Sequence, residues 1–236
     1  MKRIRADAIE KIFKELVKKM GDKMEVGKTI AVDSTLLKGY ARDWKNRVCS
    51  DQDAFWGYST TKKWVFGYKV HVICDVESEL PLAFTVTPAN VYDSKECFNL
   101  LNKIANEGMC FEYVVADAGY DTKDNYYFIS RIFHAIPIVA MNRRNLKKKD
   151  TRDFEAYLPI KRGTELWKSI YQKRGAVERV FSRLKEELAL KFVKVRGIEN
   201  VRFHVALSLI AMLCIALAAH QTGNETLSKC ISSFKF

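Results

Sequence analysis

FEYVVADAGYD, residues 111–121, is the stretch on which the fold turns. Tyr113, Val114, Val115 and Ala116 make a short apolar run rich in β-branched residues, and it ends on an acid, Asp117. Such a run, bounded by turn residues, reads as a buried strand. KTIAVDSTLL, at 28–37, has the same build, with Asp33 between Val32 and Ser34. A charged carboxylate in such surroundings costs on the order of several kcal/mol if nothing pairs with it. Each Asp therefore calls for compensation: a metal ion, an arginine or backbone donors, the last being the ordinary case of an Asp that caps the next turn.

Working outward, Ile9, Ile12, Phe13, Leu16, Val17 and Met20 recur at helical spacing and predict an amphipathic helix ending near Gly21. GYKVHVICDVES (67–78) and LPLAFTVTPANV (80–91) read as two antiparallel strands joined at Glu77–Glu79. DSKECFNLLNKIANEG (93–108) opens on an Asp-Ser cap and closes on Gly, the punctuation of a helix. After the Asp117 strand, 122–133 reads as a helix and AIPIVAM (135–141) as another buried strand. A polar, basic insertion follows at 142–166, then a long helix from about Tyr171 to Leu190 and a last one over Ile198–His220. The order predicts an α/β fold: a mixed sheet of hairpin and parallel strands with helices on both faces, the order of the RNase H-like fold. Domain boundaries follow: an N-terminal helix at 1–27, the main α/β unit at 28–220 and a tail at 221–236.

Composition fits one domain of 236 residues, 48% hydrophobic and 29% charged. Net charge is +12, and residues 141–200 hold 17 Lys and Arg against 8 Asp and Glu, which concentrates most of the excess in a quarter of the chain. That concentration is the footprint expected for a polyanion, most often nucleic acid. The six cysteines lie far apart with no zinc spacing, so free thiols in a reducing compartment are expected. Met1–Arg5 leads into a charged segment rather than a signal peptide. The most apolar run, Val205–Ala219, has 15 residues. A membrane span needs about 20, so a helix buried on nearly all sides and no membrane partner are expected.

YQKRGAVERVFSRLK, at 171–185, carries a second signal. At about 100° per residue, Tyr171, Arg174, Glu178 and Lys185 fall within about 60° of one another, beside the apolar stripe of Val177, Val180, Phe181, Leu184 and Leu188. Alone, such a stripe is an ordinary solvated ion-pair face. With Asp33 and Asp117, Glu178 completes a set of three carboxylates of the kind that divalent-cation phosphoryl chemistry requires. Arg174 and Lys185 then suit phosphate oxygens, and Tyr171 suits a phosphate or a base. Asp121 and Asp93 compete weakly and are expected to cap the helices that follow them, while Asp75 is expected to be solvated at a hairpin end.

The Y-x2-R-x3-E-x6-K pattern, with AVDSTLLK around Asp33, VVADAGYDT around Asp117 and GYKVHVICDVESELPLAFTVTPANVYDS between them, resembles the DDE transposases of bacterial insertion sequences, of the insertion-sequence-four type. The resemblance runs from about residue 28 to 220. It implies an RNase H-like catalytic domain whose Asp33, Asp117 and Glu178 bind magnesium, or manganese in its place. The implied reaction is hydrolysis at transposon ends, then attack of the freed 3′-hydroxyl on target DNA. It further implies Tyr171, Arg174, Lys185, Lys69 and His71 near double-stranded DNA, a homodimer on paired ends, and a bacterial cytoplasmic setting at the nucleoid. Two departures stand out: only 32 residues precede Asp33, where members usually carry a helical DNA-binding region, and the insertion before the Glu178 helix is short. A truncated or frameshifted copy acting as a DNA-binding regulator, and a stand-alone RNase H-like nuclease, are the alternatives.

Overall fold

The two acid-bearing apolar runs become neighbouring strands. The computed structural model describes residues 6–23, 27–41, 49–59, 63–142 and 158–234. Within it, β1 (Thr29–Lys38) and β5 (Tyr113–Ala116) pair in parallel, from Thr29 opposite Tyr113 to Val32 opposite Ala116. β6 (Ile136–Val139) extends this parallel half beyond β5. On the other side of β1 lies β3 (Lys63–Asp75), antiparallel, with Ile30 opposite Asp75 and Lys38 opposite Gly67. The outer edge of β3 holds two strands end to end. β2 (Phe55–Ser59) pairs with Lys63–Gly67, and β4 (Pro81–Pro88) pairs with Tyr68–Cys74. The result is the mixed RNase H-like sheet expected from the sequence. Ile30, Ala31, Val32, Val72, Val114, Val115 and Ala116 are fully buried at its centre, which is why these strands read as continuous apolar runs rather than alternating ones.

Gly67 is required where β3 passes from one outer partner to the other. Its φ is +154°, and an added Cβ would lie 2.2 Å from the Leu37 carbonyl oxygen, well inside contact distance.

Helices cover the sheet. The amphipathic α1 (Ala6–Gly21) buries Ile9, Phe13, Val17 and Met20 and packs along α6 (Ile198–Gln221). α2 (Asp93–Asn106) lies over β3 and β4. α3 (Lys123–Tyr127) runs into a π-helical turn at Phe128–Ile132. α4 (Glu165–Gln172) rests on β5 and β6, where Val115, Ile138 and Ile170 form a small separate cluster. α5 (Gly175–Ser182) crosses β1 and β3.

Several expectations need correction. β2 was not foreseen, and β3 begins four residues earlier than expected, because the two strands support each other as a hairpin. The long helix begins at Glu165 and has three parts. Hydrogen bonds from Lys173, Arg174 and Ala176 to carbonyls three residues back tighten the junction of α4 and α5, and a π-helical turn follows at Arg183–Glu187. α6 is long and apolar enough to cross a membrane by length and composition. It seats Val201, Val205, Leu209 and Leu213 in the core, yet leaves Leu207 and Cys214 exposed, so it is not buried on nearly all sides. In the tail, Ile231 is buried against the core. All six cysteines are free. Most of the basic insertion, 143–157, lies outside the described residues; Arg162, near its end, donates to the Val139 carbonyl and pairs with Asp121.

Candidate active site

Parallel pairing sets the site. The last β1–β5 pair is Val32 with Ala116, so Asp33 and Asp117 follow side by side where the parallel strands end. Asp117 then caps a 3-10 turn at Ala118–Tyr120, with one carboxylate oxygen accepting from the Gly119 N–H at 2.7 Å. Asp33 accepts from the Ser34 N–H at 2.8 Å. The third acid arrives from α5: Arg174 donates to Asp33 Oδ2 at 3.0 Å and also to Glu178 Oε1, one turn away. One guanidinium therefore bridges an acid on the sheet to an acid on the helix. Arg174 is partly buried and Glu178 is mostly exposed.

Strand alternation divides the other residues between two faces. Asp33 and Thr35 lie opposite Val72 and Val70 in the register, and they meet the α5 side, where Lys185 donates to Thr35 Oγ1. Ser34 lies opposite His71 and Leu36 opposite Lys69, on the α2 side. There Asp93 gathers the polar groups. Its Oδ1 accepts from Ser34 Oγ at 2.7 Å and pairs with Lys69 Nζ at 2.9 Å, while His71 Nδ1 stands 3.8 Å away. Lys69 also donates to the Val91 carbonyl at 2.8 Å. His71 is fully buried and the Lys69 side chain nearly so. Both do share one face, as expected, but it is the face behind Asp33, and neither offers a surface to DNA. Their place is a supporting layer beneath β1.

The electrostatics reflect burial first and crowding of like charges second. Burial and, next, the Asp117 charge push the Asp33 pKa from 3.8 up to about 7; Ser34 and Arg174 oppose the rise, and Asp93 adds to it. Burial also raises Asp117, against the pull of its Gly119 hydrogen bond. Burial lowers His71 to about 4, outweighing the nearby Asp93, so the ring is neutral at pH 7. Tyr171 is half-buried, and burial raises its pKa. Its ring stacks on Trp167 with centroids 4.6 Å apart and planes at 13°.

The competing acids have partners that local sequence did not reveal. Asp93 is the first residue of α2 rather than its cap, since the cap position is Tyr92 and carries no side-chain bond. Asp121 does not cap α3, which Thr122 does; it accepts from Tyr126 Oη, the Asn142 N–H and Arg162. Asp75 is buried, not solvated, and holds the Gly27 and Ser78 N–H groups and the Ser78 hydroxyl. Of these, Asp93 belongs to the site's surroundings, and its only sequence signal was its place in the VYDS stretch that closes the β4 segment.

Among the described residues no three acid, histidine or cysteine side chains stand close enough to hold an ion as they are. The donor set nevertheless fits a hard cation: two adjacent, poorly solvated carboxylates, and a third tied to the first by the positive Arg174. Arg174 occupies one oxygen of Asp33 and one of Glu178, so an ion held by all three acids would compete with it.

The transposase DDE domain family matches residues 25–214 of the chain. No curated protein sequence matches it. Among solved structures it is similar to a chain of the piggyBac transposase synaptic complex with hairpin DNA, with a TM-score of 0.57 over 87% of this chain at 9% identity. At that identity the likeness is one of fold, and this chain spans about half of the other, 52% of its length.

Proposed function

Because this chain belongs to the transposase DDE domain family, a family that uses divalent metal ions, we propose that it cuts DNA at transposon ends and joins the freed 3′ ends to target DNA. Asp33, Asp117 and Glu178 would hold magnesium or manganese. The observation that carries the reading is the meeting of the three acids: parallel pairing puts Asp33 beside Asp117, and Arg174 ties Glu178 to Asp33. The insertion-sequence-four assignment rests on the Tyr171, Arg174, Glu178, Lys185 pattern.

The bound metal would lower the pKa of the attacking hydroxyl and stabilise the charge on the leaving oxygen. The protein's own groups do the rest. Asp33 and Asp117, short of water and close together, would gain from a cation that neutralises both charges. Arg174, once released, carries a planar fork matched to phosphate oxygens. Lys185, held at Thr35 on the same face as Asp33, adds a compact positive charge beside the phosphate path. Tyr171, backed by Trp167, offers a hydroxyl and a ring edge to the strand being cut. Lys69, Asp93 and Ser34 hold β1 from behind, which fixes the backbone of Asp33. The partners in this reading are double-stranded DNA and a second copy of the chain acting on paired ends.

The test is strand cleavage of a duplex carrying the inverted repeats that flank the coding sequence, with magnesium. Asp33→Asn, Asp117→Asn and Glu178→Gln should each lose roughly a hundredfold or more in rate. Undiminished cleavage by any one of them sinks the assignment of that acid. Cleavage of any duplex without strand joining favours a nuclease, and binding without cleavage by the unaltered chain favours a regulator.

A further inference from the structure

β2 and the first half of β3 form a two-stranded ribbon with an unusual surface. Trp56 lies opposite Phe66, and Tyr58 opposite Trp64. The rings meet at 5.5 Å and 56° in the first pair, and at 5.4 Å and 65° in the second. Neither pair is stacked face to face, so the rings leave much of their flat surfaces uncovered: Trp56 is 47% exposed, Tyr58 57% and Trp64 65%. Aromatic rings at such exposure stabilise a fold little, and four on one side of a ribbon form a platform.

Place and charge say what the platform fits. Trp64 and Phe66 alternate with Tyr68, Val70 and Val72, and Val72 is the partner of Asp33 in the register, so alternation puts the rings on the face that carries Asp33. At about 3.3 Å per residue they begin roughly 20 Å from it, beyond the end of β1. A single strand leaving the site spans that distance within a few nucleotides. The chain as a whole carries a net charge of +12, which favours a polyanion over another copy of itself. A second copy docked here would bring like net charge against like, whereas a nucleic-acid strand brings phosphates. Rings offered flat to solvent take bases only where those bases are not already stacked in a duplex.

We propose that the ribbon of Trp56, Tyr58, Trp64 and Phe66 is a stacking platform for an unpaired DNA strand extending from the cleavage site. The proposal rests on the reading of the site as a DNA-cutting centre. The experiment uses the full chain and three probes: a blunt duplex bearing the terminal repeat, the same duplex with a single-stranded tail of about eight thymidines, and the free thymidine oligomer. In the unaltered protein the tail should tighten binding roughly tenfold, and the free oligomer should quench tryptophan fluorescence. A Trp56→Ala, Trp64→Ala double variant should lose the gain and most of the quenching while keeping its affinity for blunt duplex and its unfolding midpoint. Trp64→Phe, which keeps a ring, should retain most of the gain.

A gain that persists in the double variant overturns the proposal, and so does an unaltered protein that responds to neither tail nor oligomer. Loss of dimer in sedimentation, with the tail effect unchanged, makes the ribbon a contact between copies and also overturns it. The site reading fails separately: an unaltered protein that binds the oligomer through the ribbon but cuts no terminal-repeat duplex keeps the platform and removes the transposase.

Discussion

Asp33→Asn should make the metal-free protein more stable at pH 8 while abolishing its activity. In the folded chain the Asp33 pKa stands at about 7, against 3.8 for the ordinary group. The sign follows from linkage: a group whose folded pKa is raised contributes stability that is fully present below pH 3.8 and is lost as pH rises through 7. The difference is roughly three pH units, and at about 1.36 kcal/mol per unit it sets an upper figure near 4 kcal/mol. The side chain is 17% exposed, so solvent screens little of this. The pull of Arg174 is already contained in that difference; relaxation around the buried charge takes something back, and the net gain should be about 2–4 kcal/mol. Asparagine keeps both the shape and the acceptor for the Ser34 N–H, so the comparison isolates the charge. The assay is urea unfolding in chelator from pH 4 to pH 8.5. The variant should match the parent near pH 4, pull ahead as pH rises, and level off above about pH 7.5. Added magnesium should then stabilise the parent but not the variant, since only the parent binds it. A variant less stable than the parent at pH 8 in chelator would refute the reasoning, because the pocket would then favour the charge by itself.

Three further outcomes are expected. Glu79, 6% exposed and with its pKa held down by Arg183 and Arg179 against burial, ties the β3–β4 turn to α5 and to Lys229 of the tail; Glu79→Gln should cost about 3–5 kcal/mol in thermal or urea unfolding, because it leaves Arg183 buried without its charge partner. The same lowered pKa means Glu79 contributes stability above pH 4.5 that is lost as pH falls through its folded value, so the parent's acid unfolding should be steeper than the variant's. Gly67→Ala should cost more than about 2 kcal/mol in urea unfolding, or prevent folding, since its Cβ would meet the Leu37 carbonyl at 2.2 Å; an unchanged midpoint would show that the β1–β3 edge can yield. Lys69→Met should lower the cleavage rate roughly tenfold with little change in DNA affinity, since Lys69 is buried behind the site and acts by holding Asp93 and Ser34; a loss of affinity with unchanged rate would make it a DNA contact.

The parts of this fold legible in sequence are those whose cause is local. Val32 before Asp33, and Val114–Ala116 before Asp117, announce strands buried on both faces because their apolar runs have no polar side, and the acids at their ends mark the site. The β2 strand was illegible for the opposite reason: Phe55–Ser59 buries almost nothing, and it is a strand because β3 lies beside it. The break at Lys173–Arg174 leaves no mark, since helical backbone angles persist through the tightened turn. Asp75, Asp93 and Asp121 were misread because their donors come from far along the chain: Gly27, Ser34 with Lys69, and Arg162. The same holds for His71. Period-2 alternation places it with Lys69, but only the register with β1 tells which face that is.

The central claim is that Asp33, Asp117 and Glu178 exchange the Arg174 guanidinium for a divalent cation. Anomalous diffraction from crystals grown with manganese tests it most directly. The account predicts an ion about 2.1 Å from oxygens of Asp33 and Asp117, Glu178 turned toward it, and Arg174 free of Asp33. Manganese bound elsewhere, with Arg174 still bridging Asp33 to Glu178, would contradict it.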